Sequence, residues 1–318
     1  MRKILSLIVG VGIVLGVIKD LLAEEKYIET YVKKDIFTID NNVVPFIAVN
    51  NKGDKIGLTT GEYFSEYDLS GRKILEIDLN KIWKDEERGR NIAGFFFDEK
   101  DNIYIYTTTF RVKNCFLTKV INQEGKEVKE ITIPWKIPWS WVEYHDGAIY
   151  DFRGNFLVEI KKKEKVTSID FTTEEASDPK LRFKNGKFKV KGFKKLGLNK
   201  DEVEIDYEIP MFSPTPQCAF GSSYVTHIDK KDNLYIKVVF SEYFPRPNAY
   251  LQIFKVSKKG ELLSKVNIFD KYVDRSELDS RLYAFDEEGN IYKLTTIYSK
   301  DKKSEKSIVT RWSVGDNK

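Results

Sequence analysis

The sequence predicts an all-β chain folded as a six-bladed β-propeller, and three observations carry that prediction. First, a hairpin stretch recurs. Phe96-Phe97-Asp98-Glu99-Lys100-Asp101-Asn102-Ile103-Tyr104-Ile105 returns at 227–236 and again at 284–293. Each copy is an apolar strand end, a charged turn closing on Asp-Asn or Gly-Asn, and a new strand starting with Ile or Leu and then Tyr. Asn and Gly at the end of such a turn tolerate the positive φ that tight hairpins need. Second, the hairpins are periodic. With Asp54, Asn102, Ala148, Lys187, Asn233 and Asn290 as equivalents, the spacings are 48, 46, 39, 46 and 57 residues. A period of about 40–50 residues marks propeller blades, each a four-stranded antiparallel sheet. Third, the last unit lacks a fourth strand, while a spare one lies near the amino terminus.

In chain order, Arg2-Lys3 precedes an apolar run from Ile4 to Ile18. A basic start and an apolar run of this length read as a signal peptide. Spanning a bilayer normally takes about 20 apolar residues. Residues 1–23 are therefore expected to be a cleaved signal, or an uncleaved anchor holding the chain to a membrane only through 4–18. Residues 24–318 form one propeller domain. The protein is expected to be exported, periplasmic or extracellular, and monomeric.

The spare strand is Asp35–Ile39 or begins slightly earlier. It is expected to complete the last blade, closing the ring and removing the open edges that invite aggregation. Each clear unit has a second hairpin, at Asp68-Leu69-Ser70-Gly71-Arg72, Asn122-Gln123-Glu124-Gly125-Lys126 and Ser257-Lys258-Lys259-Gly260-Glu261. Apolar strands follow at Ile74–Leu79, Val128–Ile133 and Leu262–Phe269. The fourth unit, about 171–209, is the least regular.

Composition narrows the function classes. Basic residues number 53 and acidic ones 49, so charge supplies no argument for a nucleic-acid partner. Cys115 and Cys218 form no CxxC pair, and zinc or thioredoxin-like chemistry has no support. They fall in units two and five, opposite each other on a six-membered ring, so no disulfide between them is expected.

The strand-Asp-x-x-Asn/Gly-Asn-Ile-Tyr pattern, paired with the Gly-Lys/Arg/Glu turn, resembles six-bladed propellers of the NHL and TolB-like type over most of 45–314. The resemblance implies fold and little chemistry, because that fold hosts binding modules, lactonases, lyases and scaffolds.

In such a propeller the short charged turns share one face. The irregular connections share the other, around the channel mouth, and loops on a rigid scaffold concentrate binding residues. Seven of the ten arginines beyond residue 23 fall in those connections: Arg88, Arg90, Arg111, Arg153, Arg246, Arg275 and Arg281. A guanidinium suits bidentate contact with carboxylates or phosphates and stacks on aromatic rings. The alternative is internal pairing with loop carboxylates such as Asp85, Glu86, Asp274 and Glu277. Trp135, Trp139 and Tyr243 add aromatic faces in the same class of loop. Together these residues predict a mouth that binds an anionic or carbohydrate ligand, or a protein partner.

The two histidines, His145 and His227, fall on separate units and do not read as a catalytic pair. Gly221-Ser222-Ser223 lacks the flanking pattern of a nucleophile elbow. No cofactor is expected. The leading function is a non-enzymatic binding module. Two alternatives stay open: a lactonase or lyase holding calcium in the channel, and a structural component of the cell envelope.

Overall fold

In the computed structural model, antiparallel strands collect into separate sheets in chain order. The structure describes residues 29–40, 44–60, 62–83, 92–108, 115–134, 142–145, 148–151, 156–159, 166–168, 172–175, 186–191, 202–207, 218–242, 248–257, 259–269, 271, 273–298 and 305–315. The expected targeting segment lies outside them.

Strand β1 (Tyr31–Ile39) stands first. The next sheet holds β2 (Val44–Val49), β3 (Lys55–Thr60), β4 (Tyr63–Asp68) and β5 (Lys73–Asp78), followed by a short helix, α1 (Leu79–Ile82). Then come β6 (Ile92–Phe97), β7 (Ile103–Thr108), β8 (Cys115–Ile121) and β9 (Glu127–Pro134). The third group is β10 (Val142–His145), β11 (Ala148–Asp151), β12 (Phe156–Glu159) and β13 (Val166–Ser168). A three-stranded sheet follows, with β14 (Thr172–Glu175), β15 (Gly186–Lys191) and β16 (Glu202–Tyr207). The fifth group is β17 (Cys218–Ile228), β18 (Leu234–Glu242), β19 (Asn248–Val256) and β20 (Leu262–Asn267). Strand β21 (Val273–Asp274) pairs with the start of β19. The last strands are β22 (Tyr283–Phe285), β23 (Ile291–Tyr298) and β24 (Glu305–Val314). Four of the sheets have four strands among the described residues. Meandering four-stranded sheets arranged this way make an all-β propeller.

The last sheet runs β1-β24-β23-β22, so the amino-terminal strand completes it as expected. Tyr31 lies opposite Val314 and Ile39 opposite Ser307. The strand begins four residues ahead of Asp35 because Tyr31 is tied down: its hydroxyl donates to the Gly289 carbonyl at 3.0 Å. A register shift between Asp35 and Phe37 leaves Phe37 and Ile39 buried, while Val32, Lys33, Lys34 and Asp35 face solvent. Charged side chains along an exposed edge discourage pairing with another chain.

Inner strands β22, β2, β6 and β10 are neighbours in that order. Their alternation feeds the seams between sheets, since successive strand residues point to opposite faces. Phe95 and Phe97 pack with Phe46, Phe64 and Ile77 of the preceding sheet. Phe96 turns the other way, onto Tyr104, Tyr106 and Phe116.

Strand β5 stops at Asp78 rather than at Leu79. The Asp78 carboxylate accepts from the Asn80 N–H at 3.0 Å, which caps α1. Leu79 and Trp83 are then fully buried between the first two sheets. Cys115 opens β8 and Cys218 opens β17, in different sheets; their side chains lie outside the described residues.

Candidate functional site

The repeated turns share one hydrogen-bond pattern. Asp98 N donates to the Asn102 carbonyl and Asp101 N to the Asp98 carbonyl, both at 3.0 Å. The same pair of bonds closes Asp229–Asn233 and Asp286–Asn290. This is a three-residue hairpin loop ending on a left-handed residue. That residue is Asp101 (φ 60°), Asp232 (φ 59°) or Gly289 (φ 83°); the expectation holds for the glycine and is corrected for Asn, which follows the left-handed position.

The Asn instead supplies a side-chain donor. Asn102, Asn233 and Asn290 donate Nδ2–H to the carboxylates of Asp98, Asp229 and Asp286 at 2.9, 2.9 and 2.7 Å. The other oxygen of each carboxylate accepts main-chain N–H groups two and four residues on. The tyrosine six residues on donates its hydroxyl to the same group. The Asp…Asn…Tyr spacing is therefore the wiring of one turn.

The first sheet uses Asn50 at the anchor position. Its Oδ1 accepts from Asp54 N and Lys55 N, and its Nδ2 donates to Asp101 of the next sheet at 3.0 Å. A carboxylate at position 50 would face that of Asp101, whereas the amide bridges the two turns.

The second set of turns follows the same plan around Asp68, Asn122 and Ser257, with Gly71, Gly125 and Gly260 left-handed. Here Asp68 accepts from the Ser70 hydroxyl and from the N–H groups of Ser70 and Arg72. Led by the Ser70 hydroxyl, these bonds hold its pKa down at about 2. Lowering the folded pKa below the unfolded value means the turn's contribution is complete above about pH 3.9 and is lost as pH falls through about 2. A carbon-detected NMR titration should place the Asp68 midpoint near that value, and Ser70→Ala should move it upward.

Successive turns are also tied to each other. Lys230 N donates to the Glu287 carbonyl at 3.0 Å, and Glu287 N to the Asn51 carbonyl at 3.1 Å. Asn51 Nδ2 returns a bond to the Glu287 carboxylate at 2.6 Å. The Tyr292 hydroxyl lies 3.2 Å from the Gly53 carbonyl. His227 belongs to this seam: its ring stacks on Phe285 at 4.9 Å and its Nε2 sits 3.0 Å from the Asp286 carbonyl.

The opposite strand ends carry the crossing into β22, made of 3-10 turns at Arg275–Leu278 and Ser280–Leu282. Two buried lysines hold it from below. Lys237 donates to the Leu278 carbonyl at 2.6 Å and lies over the Tyr283 ring at 5.1 Å. Lys293 donates to Glu277 at 2.8 Å and to Thr295 at 2.7 Å. Burial pushes the Lys293 pKa down, against the opposing pull of Glu277. The Tyr283 hydroxyl closes the set on the Glu277 carbonyl at 2.6 Å.

Arg281 sits at the head of this crossing. Its Nε lies 3.0 Å from both oxygens of Asp279 and its Nη2 2.5 Å from Oδ2. Its guanidinium lies 5.0 Å from the centre of the Phe46 ring, on the neighbouring inner strand. The hydrogen bonds to Asp279 hold Arg281 further toward its charged form. Burial pushes the Asp279 carboxyl up, but the bonds from Arg281 outweigh it and the net shift is downward. The internal partner is thus Asp279, while Glu277 serves Lys293.

Of the other sequence-derived site residues, Arg275 lies on the first 3-10 turn with its side chain outside the described residues. Arg88, Arg90, Arg111, Trp135, Trp139, Arg153, Tyr243 and Arg246 all lie outside the described residues. The posts Lys237 and Lys293 were missed by sequence reasoning. A lone lysine inside an apolar strand, as in Tyr235-Ile236-Lys237-Val238-Val239, was the available signal. Among the described residues no group of three or more His, Cys, Asp or Glu side chains is placed to hold a metal ion. Nor is any helix among them long and apolar enough to cross a membrane.

No protein-family model matches the chain, so the NHL and TolB-like resemblance has no family match behind it. No curated protein matches either. Among solved structures, Hsv2 of Kluyveromyces lactis is similar at 8% identity and TM-score 0.37, covering 80% of this chain and 70% of its own. The WD40 domain of SCAP from fission yeast matches at 9% identity and TM-score 0.31, over 91% of each chain. The N-terminal domain of Nup159 matches at 11% identity and TM-score 0.36, over 86% of this chain and 74% of its own. Likeness at this level adds no argument about chemistry, and the propeller fold rests on this chain's own strand order.

Proposed function

We propose that the sheets are the blades of one closed six-membered ring, of the NHL and TolB-like kind. In this reading the protein is an exported binding module whose ligand or partner docks on the face opposite the hairpin turns. One observation carries the choice of face: the described turns spend their polar groups on one another, sheet to sheet, through Lys230, Glu287, Asn51, Asn50 and Asp101. The connections bearing Arg88, Arg90, Arg111, Trp135, Trp139, Arg153, Tyr243 and Arg246 join the other strand ends. Arginine and aromatic side chains together suit an anionic or carbohydrate ligand, or an acidic protein surface. Arg281, bidentate on Asp279, shapes the crossing and leaves direct contact to the others. Residues 1–23 direct export, and residues 4–18 hold the chain to a membrane where they are retained.

A thermal-shift screen of residues 24–318 tests this reading with acidic oligosaccharides, neutral oligosaccharides and calcium. The expected result is a rise in Tm with an oligosaccharide that is lost in Arg88→Ala/Arg246→Ala and kept in Lys231→Ala. Loss of the response in Lys231→Ala alone would overturn the choice of face. A shift with calcium alone would favour the metal-dependent lactonase or lyase alternative. Silence in every arm would favour a structural envelope role.

A further inference from the structure

We infer that, when residues 4–18 hold the chain to a membrane, the hairpin-turn face lies nearest the bilayer and the opposite face points away from it. This rests on the export reading above and adds a geometric consequence: how the binding face is presented.

The inference comes from where the chain enters the fold. Residues 29–31 are seated in the seam between the fifth sheet and the last one, at the turn end of both. Glu29 N donates to the Leu263 carbonyl on the outer strand β20 at 3.1 Å. The Glu29 carboxylate accepts from Lys255 Nζ at 2.8 Å, and that lysine side chain is only 3% exposed. Gly315 N donates to the Thr30 carbonyl at 2.8 Å. The Tyr31 hydroxyl lies 3.0 Å from the Gly289 carbonyl and 3.3 Å from the Tyr235 hydroxyl, both at hairpin turns. Tyr235 in turn donates to Asp229, the anchor of the fifth-sheet turn, at 3.3 Å. The entry point is therefore held by two main-chain bonds, an ion pair to a buried lysine and a tyrosine pair.

Eleven residue steps separate Ile18 from Glu29, which reach at most about 40 Å fully extended. Attached at the turn end, this leash lets the turn face lie against the bilayer without spanning the fold, whereas presenting the opposite face would use about three quarters of its reach. A nine-residue strand such as β18 is itself about 30 Å long, and the path would have to run along that length first.

The test uses the full chain carrying Ala23→Leu, which removes the small residue expected at the cleavage position, in vesicles containing an acceptor-labelled lipid. A donor fluorophore is introduced as an unnatural amino acid, in place of Lys231 on a turn tip or of Lys81 on α1 at the other end. Carbonate extraction first reports whether the chain is held by the membrane. The expected result is retention, with transfer from position 231 at least about twofold that from position 81. Lengthening the leash by twenty Gly/Ser residues after position 23 should then bring the two values together. Retention with equal transfer, or with greater transfer from 81, would overturn the orientation while leaving the anchor reading intact. Release by carbonate would overturn both.

Discussion

Replacing Asp286 with Ala is expected to be strongly destabilising. One carboxylate, 1% exposed, accepts from Glu288 N, Asn290 N, Asn290 Nδ2 and the Tyr292 hydroxyl. Its removal leaves several buried donors without an acceptor, each costing about 1–3 kcal/mol when unsatisfied. Partial relaxation of the turn limits the sum, and the expected loss is about 3–5 kcal/mol. The loss should also spread beyond the turn. Tyr292 reaches the Gly53 carbonyl in the first sheet, and His227 packs on Phe285 from the fifth. Hydrogen exchange should therefore show faster opening at Asn51–Gly53 and Lys230 as well as at 287–290. A urea midpoint unchanged from the parent would show that the anchor carboxylate is not what holds the turn.

Gly289→Val should cost about 2–5 kcal/mol, for two separate reasons. The backbone is left-handed at φ 83°, where a side chain costs about 1–2 kcal/mol and a β-branched one more. A Cβ there would also collide with the Tyr235 hydroxyl. That hydroxyl cannot easily retreat: Tyr235 is fully buried and its oxygen is bonded to Asp229 and Tyr31. The strain adds an overpacking penalty of about 1–3 kcal/mol. Adding Tyr235→Phe removes the oxygen and should recover part of the loss, leaving the backbone share. Chemical denaturation of the single and double variants separates the two contributions, and full recovery in the double would show that the backbone conformation costs nothing.

Much of this organisation was legible because the repeat carries its own chemistry. Asp, Asn and Tyr recur at fixed offsets because one carboxylate needs donors four and six residues on, and that need is local in sequence. The spare amino-terminal strand was legible by counting, since a blade with three strands leaves one open edge. Other features depended on distance in space. Leu79 reads as a strand residue, whereas the Asp78 cap starts a helix there and the gap between two sheets takes in Leu79 and Trp83. For Arg281 the sequence leaves ligand contact and internal pairing both open, and the fold selects Asp279 rather than Glu277 as its carboxylate.

The unit is written into the chain locally: a hairpin with a wired turn, repeated along its length, with the missing last strand supplied from the start. These are consequences of short-range spacing and of alternation between two faces. How the units meet is settled by packing in three dimensions. Asn50 bridges to Asp101, Glu287 to Asn51, Lys237 and Lys293 prop a crossing, and residues 29–31 are clasped at one end of a seam. Those partners lie on different elements, 16 or more residues apart, so no local pattern encodes their pairing. It appears only once the sheets pack and buried polar groups must find acceptors.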